Sequence, residues 1–120
     1  MHSKKILSNN ILMRQVYFSH SVYEVIDAYI LQYATYFYQL YSDTGIWSED
    51  QILAYYDQAA TLRRDEIIDA LYDTLLPEII IGHSGQNTVK IMWRSKMLIV
   101  GWEERDMMTR IATSLEILKR

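Results

Sequence analysis

The sequence predicts an α+β domain: three helices followed by a C-terminal antiparallel three-stranded meander. Three observations predict it. Apolar residues recur at helical spacing through the first two-thirds of the chain, Pro77 closes that region, and a two-residue alternation takes over from Val89. The alternative on the same pattern is a mostly helical chain with a single β-hairpin. At 120 residues, with half of them hydrophobic, the chain fits one domain spanning 1–120 and is too apolar for disorder.

The first helix is expected from Ser21 to Tyr41. Ser21 and Glu24 have capping-box spacing, and Val22, Ile26, Tyr29, Ile30, Tyr33, Phe37 and Leu40 form an apolar stripe. Gly45 suits the left-handed exit. Ser48 and Gln51 form a second capping box, with Glu49 and Asp50 in the first turn, where the helix dipole favours acids. Arg63-Arg64 followed at once by Asp65-Glu66 reverses the sign of charge. That reversal predicts a joint, and a third helix from Asp65 to Leu76.

After Pro77, Glu78 to Ile81 is short and β-branched, and residues 82–87 read as a loop holding His83 and Ser84. Val89, Ile91 and Trp93 alternate with Lys90, Met92 and Arg94. A turn at Ser95-Lys96 would set Trp93 against Leu98, Ile91 against Val100 and Val89 against Trp102 on one face. A second turn at Glu104-Arg105 would continue that face through Met107, Thr109, Ile111, Thr113, Leu115 and Ile117. Helical spacing also fits this last segment, and the threonines with the matching register favour strand. For Ile11 to Phe18 the pattern decides neither strand nor helical turn.

Charge narrows the function. Residues 1–20 carry +3, residues 21–84 two Arg against eleven acids, and residues 85–120 seven basic groups against four acidic. An acidic middle argues against a duplex-DNA binder. Without cysteine there is no disulfide, thiolate zinc site or thiol nucleophile. His2, His20 and His83 lie far apart, so no local metal pair forms, and no cofactor motif or nucleophile–base spacing appears. The longest uncharged run, residues 28–42, is shorter than the ~20 apolar residues of a spanning helix, and a cytoplasmic chain with no membrane partner is expected.

The first helix carries a second apolar stripe, Leu31, Ala34, Tyr38 and Tyr41, turned away from the first. With ten tyrosines in the chain, this stripe points to a protein interface, homo-oligomeric or heteromeric. Asp65, Asp69 and Asp73, beside Glu66, make an acidic helix face suited to a basic partner. The leading expectation is a non-enzymatic protein-binding module: a small inhibitor, immunity or phage/plasmid-type accessory protein that occludes a surface on a larger target. Two alternatives use Lys90, Arg94 and Arg110 on one sheet face. They are a small RNA-cleaving toxin-like nuclease and an RNA or single-stranded nucleic-acid-binding domain.

Overall fold

The computed structural model describes residues 4–7, 13–78, 80 and 87–119. His2, and the expected loop holding His83 and Ser84 with most of the β-branched segment before it, lie outside the described residues. The chain runs β1 (Lys4–Leu7), β2 (Met13–Phe18), α1 (His20–Ser42), α2 (Glu49–Leu75), β3 (Thr88–Trp93), β4 (Lys96–Asp106) and β5 (Thr109–Lys119). The class is α+β, with two helices rather than three and a mixed sheet rather than a three-stranded antiparallel meander. The sheet order is β1-β2-β5-β4-β3, with β1 a short edge strand. β2 and β5 pair in parallel and every other pair is antiparallel. The undecided segment before α1 is therefore a strand: the helices carry the chain from β2 to β3 at the far edge, and β5 returns to pair with β2. A single β-hairpin is likewise excluded, because β5 pairs along its length with β4.

The two expected helices after Ser48 are one. No Gly or Pro interrupts Glu49–Leu75, and two of the four charges that suggested a joint find ion-pair partners off the helix. Arg64 reaches Asp27 on α1 at 3.6 Å, and Glu66 binds the β3–β4 turn. The capping box of Ser48 and Gln51 is closed in both directions, Gly45 turns at φ 68°, and α2 ends at Leu75 just before Pro77. The N-cap of α1 is Ser19, not Ser21, and it makes no side-chain cap bond. Instead the Ser19 and Ser21 hydroxyls both donate to the Thr113 carbonyl of β5, and Glu24 pairs with His20 at 2.8 Å.

The sheet departs from the expected register in two places. β3 and β4 join through Arg94-Ser95, both at positive φ (46° and 60°), as a two-residue type I′ hairpin turn requires. Trp93 therefore faces Lys96, and Ile91 faces Leu98. The pairing moves by two residues, so the same face stays inward. Arg94 is held in this costly conformation by a bidentate bond to Glu66, with Nε and Nη2 at 2.6 and 2.9 Å from the carboxylate.

Between β4 and β5 the turn is Met107-Met108 rather than Glu104-Arg105, held by Asp106, whose carboxylate accepts the Met108 N–H. Two bulges follow. Thr113 is skipped between the Gly101–Ser114 and Trp102–Ala112 pairs, and Arg105 is skipped between Glu104–Arg110 and Asp106–Thr109. The Thr113 bulge reverses the alternation, so Leu115 and Ile117 face the core as expected whereas Arg110 and Ala112 replace Thr109, Ile111 and Thr113 there.

Both helices cover one face of the sheet. The core joins Val16 and Phe18 of β2, Val89 and Trp93 of β3, Leu98 and Val100 of β4 and Ala112 and Leu115 of β5 to Val22 and Ile26 of α1 and Ile67, Ile68, Leu71, Tyr72 and Leu75 of α2. Beyond this core α1 and α2 continue as a hairpin. The described chain measures 56 × 29 × 22 Å, and its radius of gyration of 17.0 Å exceeds the ~14 Å of a compact chain this long.

Candidate functional site

The projecting hairpin holds a groove of about 480 Å³ between α1 and α2. Tyr33, Phe37 and Tyr41 of α1 stand at successive i+4 steps and form one wall. Tyr55, Gln58, Ala59 and Leu62 of α2 form the other, and the Gly45 turn brings Trp47 over the far end. The rings meet edge to face at that end: Tyr41 and Trp47 at 6.2 Å and 89°, Trp47 and Tyr55 at 4.8 Å and 82°. Beneath the groove Tyr56 joins the helices, stacking on Tyr33 at 6.2 Å and donating to the Ile30 carbonyl at 3.3 Å. Burial pushes the Tyr56 hydroxyl pKa up.

Arg63 closes the near end. Its guanidinium lies 4.3 Å from the centre of the Tyr33 ring, and Nη1 donates to the Ala59 carbonyl at 3.2 Å. Among the described residues no carboxylate lies within ion-pair distance of it. Burial raises the nearby Tyr29 pKa, and the Arg63 charge works against that rise.

The second stripe expected on α1 is divided. Leu31 and Tyr38 are exposed and Ala34 half-buried, while Tyr41 turns into the groove. Two contacts fix which flank the first three occupy. Asp27 meets Arg64 near the sheet, and the Tyr38 hydroxyl donates to Glu49 at 3.1 Å near the tip. That bond is the main cause of a raised Tyr38 pKa. Leu31, 71% exposed, lies between these ties on α1. The hairpin therefore offers two apolar flanks, one charged at its ends and one centred on the groove.

The acidic face is also divided. Asp65, Asp69 and Asp73 are exposed along α2, whereas Glu66 turns to the sheet. There it accepts from the Trp93 indole at 3.0 Å and from Arg94, whose hydrogen bonds hold its pKa below the usual carboxylate value.

The three cations expected on one sheet face do not gather. Lys90 is exposed on the open face, Arg94 is in the β3–β4 turn, and Arg110 is on the opposite, helix-covered side, 2% exposed. Arg110 caps the C-terminus of α2: Nη1 donates to the Leu75 and Pro77 carbonyls and Nη2 to Glu78 O at 2.8 Å. Glu104 accepts from it at 3.1 Å, and the guanidinium lies 5.3 Å from the Trp102 ring centre. Burial pulls its pKa down, with Arg14 adding to the fall and Glu104 opposing it. α2 carries no basic residue in its own last turn, so β5 supplies the charge its carbonyls attract.

Among the described residues no group of three or more His, Cys, Asp or Glu could hold a metal ion. None of their helices is long and apolar enough to cross a membrane. Sequence reasoning missed the groove. Its signal was the Tyr33-Phe37-Tyr41 spacing, followed across Gly45 by Trp47 and Tyr55. Comparison with known proteins finds no matching family model, curated protein or solved structure.

Proposed function

We propose that this chain is a non-enzymatic protein-binding module that works through its helical hairpin, occluding a surface on a larger target. One observation carries this reading. Of the eleven large hydrophobic side chains exposed among the described residues, eight lie on the hairpin between Leu31 and Leu62; the other three are Met92, Met107 and Leu118. An apolar surface concentrated on one projecting element is the usual mark of an interaction site. The exposed Asp65, Asp69 and Asp73 add an acidic approach along the base of α2, which would steer a basic partner. The class of partner this supports is another protein, in keeping with a small inhibitor, immunity or accessory protein.

The test is affinity capture from the native lysate, with nuclease, comparing the wild type with Leu31→Glu, Tyr38→Glu and an Asp65/Asp69/Asp73→Asn triple variant. The expected result is a protein partner that survives nuclease and is lost with each Glu variant while circular dichroism stays unchanged. The triple variant should bind more weakly and with a flatter salt dependence. A partner retained by every variant would end this reading.

A second reading, a small RNA-cleaving toxin-like nuclease, has one observation in its favour: both helices lie on one side of the sheet and leave the face bearing Lys90 open. Against it, Arg110 is buried and Arg94 is bound to Glu66. Cleavage of single-stranded RNA by the wild type and not by Lys90→Ala would support that reading over the first.

A further inference from the structure

We infer that the groove flank of the hairpin is a homodimer interface, in which two copies pack antiparallel about a two-fold axis. The inference rests on the protein-binding reading above and adds a second contact to it: the flank of Leu31 and Tyr38 meets the larger target, and the groove flank meets a second copy of this chain.

Three features of the flank fit a self-complementary contact. The first is chemical. Tyr55 and Leu62 of α2 line the groove, helical spacing sets Tyr36 and Leu40 of α1 beside the Tyr33–Phe37 wall, and all four are at least half exposed. Tyr36 is 62% exposed, though it follows Tyr33 by a single helical turn. Aromatic and aliphatic residues with no acid among them are the composition of an interface centre, from which charged groups are depleted.

The second is the distribution of charge. Arg63 stands at the sheet end of the groove beyond ion-pair distance of any described carboxylate, its charge reaching Glu66 only at longer range. At the other end α1 stops with no basic residue in its last turn and with Asp43, exposed, as its C-cap. The dipoles of the α1 C-terminus and the α2 N-terminus oppose each other there, and the tip is electronegative because Asp43, Glu49 and Asp50 are all exposed on it. In a two-fold contact each residue is used twice. An antiparallel pairing carries Arg63 of each copy onto the electronegative tip of the other. A parallel pairing would set Arg63 against Arg63 and leave both tips unanswered.

The third is size. Sixteen residues of each helix project along the hairpin from Asp27 and Arg64 to Ser42 and Glu49. Two such helices side by side present a face of roughly 24 by 20 Å, about 500 Å² before corrugation. That falls below the ~800 Å² per partner of a standard interface, and the ~1,000 Å² the two copies bury together is the size of a weak, transient one. The dimer is accordingly concentration-dependent, not obligate.

Sedimentation equilibrium across the micromolar range tests this, with circular dichroism on every variant. The wild type should dimerise. Leu40→Glu and Leu62→Glu, both at exposed positions, should raise the dimer Kd about 30-fold or more, as the loss of interface anchors does. Leu31→Glu, on the other flank, should leave the dimer intact. Arg63→Glu should weaken it, and Arg63→Glu combined with Asp43→Arg should restore it. If Arg63→Glu disturbs the fold through Tyr33, Asp43→Arg alone serves as the charge probe and should weaken the dimer. A wild type that stays monomeric, or a dimer indifferent to Leu40→Glu and Leu62→Glu, overturns the inference. A charge exchange that fails to restore association overturns the antiparallel arrangement. A monomer that still captures a target through Leu31 and Tyr38 overturns the dimer and leaves the protein-binding reading standing.

Discussion

The sheet-bound and distal halves of α1 share one apolar spacing and lie in different surroundings. Near the sheet, Val22 and Ile26 are fully buried and belong to a core that also contains four strands and the C-terminal half of α2. Past Tyr33 the same spacing continues, yet Phe37 is the one buried residue of α1, and Tyr36, Tyr38 and Leu40 face solvent. α2 repeats the contrast. Ile67, Leu71 and Leu75 are buried in the core, while Ile52 and Ala60 are buried only between the two helices. Periodicity specifies that a face seeks burial, and the partner that covers it comes from tertiary structure. One half of the hairpin is covered by the sheet of its own chain. The other half is what the chain presents outward.

If that contrast is right, stability is concentrated at the sheet end. Arg110 should show it most strongly. Arg110→Met leaves the Leu75 carbonyl of α2, the Pro77 and Glu78 carbonyls beyond it and the Glu104 carboxylate without their guanidinium. Removing one partner of a buried charged network costs about 3–5 kcal/mol. For a domain of this size that is a fall in Tm of roughly 10 °C or more, read by thermal unfolding. A shift of a degree or two would show that α2 ends stably without the cap and would weaken the division between the halves.

The next comparison stays within α1. Ile26→Ala removes buried aliphatic volume and should cost about 2–5 kcal/mol. Leu31→Ala and Leu40→Ala, on exposed positions of the same helix, should each stay within about 0.5 kcal/mol. Chemical denaturation at low protein concentration, where association does not contribute, gives the three values directly. Equal costs in the two halves would mean that the distal half is as firmly packed as the base.

Legibility in the sequence follows the same division. Local signals held: the Ser48 capping box, the Gly45 exit, the stop before Pro77 and the inward face of β3. Signals that needed a distant partner misled. The Arg-Arg-Asp-Glu reversal looked like a joint because Asp27 and Arg94, which take up two of those charges, are remote in sequence. β5 alternated as a clean strand, and nothing local marked the Thr113 bulge that turned Arg110 inward. Ser19 and Ser21 bind the carbonyl of that bulged residue, a contact spanning more than ninety positions. The second stripe of α1 was legible as a direction only: Leu31 and Tyr38 face solvent, whereas Tyr41 belongs to a groove that only the return of α2 creates.

A small effect is expected at the boundary between the halves, where Glu66 ties α2 to the β3–β4 turn. Hydrogen bonds from Arg94 and Trp93 depress the Glu66 pKa against the opposing effect of burial. A carboxylate whose pKa is lower in the folded protein adds stability above its unfolded value, near 4.5, and that contribution is lost as pH falls through the folded value. Glu66→Gln should therefore lower Tm slightly at neutral pH, by the equivalent of less than about 1 kcal/mol because the pair is partly solvated. It should also flatten the acid limb of the Tm profile below pH 4.5. The positive φ of Arg94 and Ser95 gives a second readout. Freed from Glu66, the turn should exchange its amide hydrogens faster while the rest of the sheet stays protected. An unchanged acid limb would assign the acid sensitivity to other carboxylates, and unchanged exchange would show that the turn is held by β3 and β4 alone.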